Sequence, residues 1–415
     1  MIIDAAWPFF VTMAVVMGLA ASPLFRFLDE VHDPQARSST IDGLRGFLAL
    51  GVFGCHLVVN HQFIETGVWS PPDSRFYALL GSVGVSLFFM LTAFLFWGKL
   101  LRSQGRPRWA ALYTGRLFRI GPLYLAVVTV MLAVVFASTD AELREPGGAV
   151  ASSVLQWLAL GWIDTQPDVN GYDASHLVAG VTWTLWYEWV FYASLLALAA
   201  FARPRVHLPF VLGALLSCLA IKALWHVSAA GFAALFAIGM LVASLLHEKR
   251  LPRLPPNVSS ALALLIMGGI LVGSRSGYGT VTALWLAAFA FLVCSGTSIF
   301  GLLNTTAAQR LGRISYSLYL VHGLVIALVF RIDPVRDFAM ASPLSYWAVG
   351  AACAFVLLLA AALSYLFIER PGIALGASLI ARGKLFGARR ATQRLSNPGS
   401  GRDRPTPAQQ QRRGQ

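Results

Sequence analysis

The chain has 415 residues, 57% of them hydrophobic and only 12% charged, with a mean hydropathy of +0.66. These values exclude an ordinary soluble globular protein and predict an all-α polytopic membrane protein. The net charge of +13 does not point to nucleic acid, because the basic residues sit in particular loops and no aromatic-interleaved patch offers bases a stacking surface.

Apolar runs long enough for a span of roughly 20 residues recur at 7–28, 44–60, 78–98, 120–138, 181–201, 207–224, 229–247, 258–273, 280–300, 314–331 and 344–368. About eleven transmembrane helices are therefore expected, and a twelfth stretch at 152–163 is too short. The first run is read as an uncleaved helix, since "MIIDAAWPFF" has no basic n-region and the apolar stretch outruns a signal-peptide h-region. Every second loop is basic: Arg102, Arg106 and Arg108; Arg203 and Arg205; Lys249, Arg250 and Arg253; Arg310 and Arg313. The stretch 139–180 is acidic, with Asp140, Glu142, Glu145, Asp164, Asp168 and Asp173 against Arg144. The positive-inside rule then predicts a multi-pass protein of the cell (inner) membrane, N-terminus outside and C-terminus cytoplasmic.

Cys55, Cys218, Cys294 and Cys353 all lie in apolar runs far apart in sequence, so they read as small buried hydrophobes, with no disulfide or metal framework. The domain reading is an extra helix and loop at 1–40, a membrane domain at 41–371, and a basic tail at 372–415 whose composition from about 386 is that of a disordered segment.

Ionisable residues inside spans are costly and so mark function by default. In "IDGLRGFLALGVFGCH" Arg45 and His56 are eleven residues apart, which puts them on one helix face roughly 16 Å apart along the axis. On position alone Arg45 fits a snorkelling anchor as well as a ligand-binding group. His56 fits either an inter-helix hydrogen bond or an acyl-transfer base. Arg116 and Arg119, at i, i+3 before the fourth run, form either a positive-inside collar or a bidentate clamp for a diphosphate, with Pro122 at the expected helix start. Glu188 stands among Trp183, Trp186, Tyr187, Trp189 and Tyr192; an interface belt explains the rings but leaves the carboxylate in need of a partner. Ser315, Tyr319 and His322 make one polar stripe suited to inter-helix hydrogen bonds. "FIERPG" reads as a structural clasp, Glu369 with Arg370, ended by a helix-stopping Pro371.

Taken in order, these stretches resemble the acyltransferase-3 family of membrane O-acyltransferases. Asp42, Gly43, Leu44, Arg45, Gly46 and His56 match its opening motif. Arg116, Arg119, Ile120, Pro122 and Tyr124 match the second. Trp183, Leu185, Glu188, Phe191 and Tyr192 match the third with Thr184 in place of a serine, and 315–322 and 369–371 complete the set. One departure is "FFMLTAFLF", where Thr92 and Ala93 replace the family's Ser-Gly, so the closest backbone approach there is in doubt. The resemblance implies a ten-helix core with 7–28 as an addition, and it implies transfer of an acyl group, acetyl first of all, from acyl-CoA to a hydroxyl of a carbohydrate such as a cell-surface polysaccharide or its lipid-linked precursor. Arg45, Arg116 and Arg119 would bind the CoA phosphates, His56 would act as base, and Glu188 would orient it or stabilise its charge. The alternative from another class is a proton-coupled exporter of an anionic or glycan-type solute, for which no inverted repeat is visible. A third is a structural partner in a glycan-assembly complex.

Overall fold

The structure is a computed structural model that describes residues 2–29, 39–248 and 254–382. The expected basic positions Lys249, Arg250 and Arg253, and the tail beyond Arg382, lie outside the described residues. The described residues contain no β-strand beyond an isolated bridge between Val169 and Tyr172. In chain order the helices are α1 (Trp7–Ala21), α2 (Ser39–Thr66), α3 (Arg75–Arg102), α4 (Trp109–Ser138), α5 (Gly147–Leu158), α6 (Trp183–Leu198) and α7 (His207–Trp225). They continue with α8 (Ser228–Glu248), α9 (Pro256–Gly273), α10 (Thr280–Cys294), α11 (Thr306–Arg313), α12 (Ser315–Phe330), α13 (Asp333–Met340) and α14 (Pro343–Ser364).

Eight of the described helices are long and apolar enough to cross a membrane. A ninth span arises if α11 and α12, bent by 71°, are taken together, while α1 and α10 are apolar but shorter. An apolar helix can leave its leucines outside only if lipid solvates them: Leu265 and Val272 of α9 are 72% and 77% exposed. The protein is an all-α polytopic membrane protein.

Two expectations fail, both at prolines. The fourth helix does not start near Pro122 but runs from Trp109, so Arg116 and Arg119 ride on the span and Pro122 sits inside it. The carbonyl of Phe118, which a proline leaves without its helical donor, lies beside Gly372, where a Cβ would sit 2.8 Å from both that oxygen and the Pro122 ring. A neighbouring helix thus packs on the proline and its open carbonyl, the usual reason a membrane helix tolerates one. Pro371 does not stop the last helix, which continues to Arg382. A π-helical turn at Tyr365–Glu369, closed by the Arg370 N–H on Tyr365 O, widens the register just before the proline. The tenth run, 314–331, forms α12 as one helix, and α11 meets it at a sharp bend at Ile314.

The glycines of the opening motif work by contact. A Cβ on Gly43 would lie 2.0 Å from Leu303 O, and one on Gly312 would lie 1.9 Å from Asp42 O, so α2 meets α11 backbone to backbone. At the departure from the family pattern, Ala93 faces Gly239 of α8, where a Cβ would lie 2.1 Å from Met90 O. The close approach survives because the glycine is on the opposite helix.

Two apolar cores result. One joins α3 to α10 with parts of α2 and α12; the other joins α1, α13 and α14 with the remaining faces of α2, α11 and α12. α2 and α12 therefore form the seam. Arg310, expected as an ordinary loop charge, is 4% exposed and bolts the second core shut. It donates from Nε and Nη2 to both carboxylate oxygens of Asp29 at 2.8 and 2.7 Å, and from Nη1 to Ala20 O and Ser22 O at 2.8 and 2.7 Å. Those bonds hold the Asp29 carboxyl below the usual carboxylate range.

Candidate active site

Five helices, α2, α3, α4, α6 and α12, line a chamber open to solvent, with about 820 Å³ of empty space, whose polar lining is Arg45, Thr92, Arg116, Arg119, Thr184, Glu188, Tyr192, Ser315, Tyr316 and Tyr319. It opens into a basin of about 1,100 Å³ that shares the three arginines and adds Lys99 and Asp42. Four cations against Asp42 give the mouth a strongly positive potential. Arg45 lies 3.8 Å from Asp42 one turn before it.

The two arginines of α4 have different partners. Arg119 reaches Glu369 at 3.6 Å, and Ser317 Oγ donates to the other oxygen of that carboxylate at 2.9 Å. Glu369 is fully buried and would be expensive without a cation. The expected clasp between Glu369 and Arg370 is therefore replaced by Glu369 with Arg119, and Arg370 is exposed. Arg116 lies over the Phe96 ring at 4.8 Å, and in the same chamber lining the Tyr192 hydroxyl donates to Glu188 Oε2 at 2.8 Å. The partner that Glu188 needs is thus a tyrosine one turn along its own helix. The hydroxyl of Ser315, fully buried and lining the same chamber, has no hydrogen-bond partner among the described residues.

His56 stands in the same helix as Arg45 but not in the chamber lining, and its orienting partner is not Glu188. Its Nδ1 lies 2.9 Å from Val52 O and 3.1 Å from His322 Nε2. His322 Nδ1 lies 2.6 Å from Tyr319 O. A carbonyl only accepts, so these contacts assign the tautomers. His322 carries its proton on Nδ1 and offers a lone pair at Nε2. His56 carries its proton on Nδ1, shared between Val52 O and that lone pair, which leaves His56 Nε2 as a basic nitrogen with no hydrogen-bond partner among the described residues. An acceptor hydroxyl could give its proton there.

Tyr319 separates the histidines from the chamber. Its hydroxyl lies 3.0 Å from Thr184 Oγ1 and donates to Val181 O at 3.3 Å; its ring stands 5.7 Å from that of Phe88 and 6.1 Å from that of His322. Tyr319, Thr184 and Phe88 line the chamber's inner end. Of the stripe Ser315, Tyr319 and His322, the last two make inter-helix hydrogen bonds, to Thr184 and to His56, and Ser315 makes none among the described residues. The tyrosine at i+4 from Glu188 was legible as a helix-surface pair; Lys99, Trp69 and the meeting of His56 with His322 carry no local signal. Among the described residues no group of three or more His, Cys, Asp or Glu side chains is placed to hold a metal ion. The four cysteines are unpaired, Cys55 and Cys353 buried and Cys218 and Cys294 half-buried.

The chain matches the acyltransferase-3 domain family over residues 39–366, from the first turn of α2 to the π-turn. It belongs to that family. Similar relatives include "Acyltransferase MdmB" of Streptomyces mycarofaciens, 27% identical over 71% of this chain and 81% of the relative. Another is "Putative membrane-bound transacylase BcsY" of Komagataeibacter xylinus, 26% identical over 82% of this chain and 84% of the relative. No solved structure matches. As a member of the acyltransferase-3 family with this architecture, the protein is a multi-pass membrane acyltransferase. The family domain contains every site residue described above except Glu369, which lies just past the matched segment.

Proposed function

We propose that this acyltransferase takes an acyl group, acetyl as the smallest, from acyl-CoA and delivers it to a hydroxyl of a carbohydrate such as a cell-surface polysaccharide or its lipid-linked precursor. The observation that carries the proposal is the tautomer chain: His322 holds the His56 proton on Nδ1 and so presents Nε2 as the base. Arg45, Arg116 and Arg119, with Lys99, bind the CoA phosphates at the basic mouth, where each guanidinium can bond phosphate oxygens in pairs. The roughly 16 Å of helix between Arg45 and His56 is the distance the linear thioester arm covers to bring its carbonyl to the histidine. Tyr319 swings aside to admit it. His56 Nε2 takes the acceptor's hydroxyl proton while that oxygen bonds to the thioester carbon. The C–S bond then breaks, and the proton on Nε2 passes to the leaving thiolate to give free CoA. As the imidazolium forms, its Nδ1–H strengthens its bond to His322. Glu188, held by Tyr192 in the chamber lining it shares with Arg116, positions the donor rather than the base.

The basic mouth and the alternate basic loops support a donor side in the cytoplasm of a cell (inner) membrane, with the acidic stretch 139–180 outside. Reporters inserted near Arg106 and near Asp168 are expected to label as cytoplasmic and extracytoplasmic; the reverse would invert the donor's side. The function is tested on purified full chain with labelled acetyl-CoA, and by mass spectrometry of envelope glycans with and without the gene. Release of CoA coupled to acetylation of a hydroxyl is expected, and intact acetyl-CoA in the presence of an envelope glycan fraction would overturn the donor assignment.

A further inference from the structure

Beyond His56, α2 continues away from the basic mouth to Thr66, and Phe63 lies seven residues on, on the same helix face. Gly67 then adopts φ +73°, a left-handed turn that glycine takes at no steric cost, and the chain doubles back. The return brings Trp69 over His56, with ring planes 13° apart and centroids at 6.3 Å. From the other side the segment between α5 and α6 delivers His176, whose ring is 6.3 Å from Trp69 and 5.2 Å from Phe63, and Tyr172, 5.6 Å from His176. Asp173 sits at the edge. It lies 3.4 Å from His176 Nδ1 and accepts from Ser175 N and Oγ at 3.0 and 2.7 Å, yet half of its side chain is exposed.

Three separate segments thus gather four rings into one cluster, and Trp69 joins that cluster to His56. An interface belt would turn such rings outward to the headgroups; these are half-buried against one another, with Trp69 stacked on His56. His56 is itself half-buried and not part of the chamber lining, so the surface it shows belongs to this side. Burial raises the Asp173 carboxyl, but the bonds from Ser175 and the nearby His176 outweigh it and keep the group ionised.

Resting on the acyl-transfer reading above, we infer that Trp69, Phe63, His176 and Tyr172 form the acceptor subsite and that its ligand is a pyranose ring entering opposite the basic mouth. A pyranose has a C–H face and a rim of hydroxyls. The C–H face matches the electron-rich face of an aromatic ring, and the rim needs an acceptor such as the Asp173 carboxylate to replace the water it loses. A purely apolar acceptor would use the rings and gain nothing from the acid. The ring lies against Trp69, Asp173 takes hydrogen bonds from hydroxyls at the rim, and the hydroxyl to be acylated reaches His56 Nε2. The two substrates therefore approach His56 from opposite ends of α2.

The test uses the purified full chain in nanodiscs, labelled acetyl-CoA, and a set of methyl hexopyranosides, with tetraethylene glycol as a hydroxyl-bearing compound that lacks a ring. Wild type is expected to acetylate at least one pyranoside and not the glycol. Trp69→Ala should raise the KM for that pyranoside at least tenfold, with the KM for acetyl-CoA within twofold. Trp69→Phe, which keeps a ring, should recover most of the loss, and Asp173→Asn, on an exposed loop and harmless to folding, should raise the same KM several-fold. Equal acetylation of glycol and pyranosides, CoA release with no pyranoside acetylated, or an unchanged pyranoside KM in both Trp69→Ala and Asp173→Asn overturns the subsite and leaves acyl transfer standing. A wild type that releases no CoA from acetyl-CoA with any of the compounds overturns the acyl-CoA reading itself.

Discussion

At the end of α2 beside the basic mouth, Arg45, Arg116 and Arg119 line a chamber in which Tyr192 bonds Glu188, while Arg119 also meets Glu369, buried beyond the lining. Eleven residues along the same helix, His56 meets a carbonyl and a second imidazole. The first region is built of full charges balanced against one another, because an unpaired charge in a low-dielectric interior is costly. The second is built of neutral groups, and that serves the chemistry. A carboxylate beside His56 would favour its protonated form; His322 orients the ring without adding a charge. On the proposed reading, one helix keeps anion binding and proton transfer apart.

The difference can be broken from either side. His322→Ala should lower kcat roughly 10²-fold, since an unoriented base loses much of its advantage, while the KM for acetyl-CoA stays within twofold. His322→Asn, whose amide oxygen can still accept from His56 Nδ1, should recover part of that loss. A change in donor KM instead would mean that the two regions are not separate. Arg116→Lys with Arg119→Lys keeps both charges and so should leave insertion intact. It removes the planar forks, and the KM for acetyl-CoA should rise about tenfold with the acceptor's KM little altered. An unchanged donor KM would make the pair a topological collar.

The septum between the regions gives a smaller signal. Tyr319→Ala should raise CoA release in the absence of acceptor a few-fold, because water then reaches the thioester, and Tyr319→Phe should raise it less. No increase in either variant would remove Tyr319 as the barrier. The smallest effect on turnover belongs to Arg310→Ala, which should leave kcat alone and cost about 1–3 kcal/mol of stability through its lost charged hydrogen bonds, read as a lower Tm. The Asp29 carboxyl is depressed in the folded state, so the stability its charge contributes is present above its unfolded pKa of about 3.9 and is lost as pH falls through the folded value. The Tm gap between wild type and Asp29→Asn should accordingly hold from pH 8 to pH 5 and shrink only below about pH 4.

How far the sequence carried these features depends on the range of the interaction behind each. Hydropathy located the apolar helices, and helix geometry put Arg45 and His56 on one face of α2. Proline misled twice, at Pro122 and Pro371, because the rule that proline ends a helix concerns its own backbone, whereas here a packed neighbour and a π-turn accommodate it. The pairings that define the site are long-range. His56 and His322 are 266 residues apart, Ser317 and Glu369 are 52 apart, and Arg310 and Asp29 are 281 apart. No local pattern encodes which helix faces which. Trp69 is the extreme case, a loop residue whose role depends on a glycine turn two residues before it.

The central claim is that His56 supplies the base, and the most direct measurement is the rate of acetyl transfer by His56→Ala in full chain shown by membrane fractionation to insert as wild type does. A lost general base typically costs 10²- to 10⁴-fold, roughly, so the account predicts a rate below about a hundredth of wild type at saturating acetyl-CoA. Transfer at more than about a tenth of the wild-type rate would contradict it.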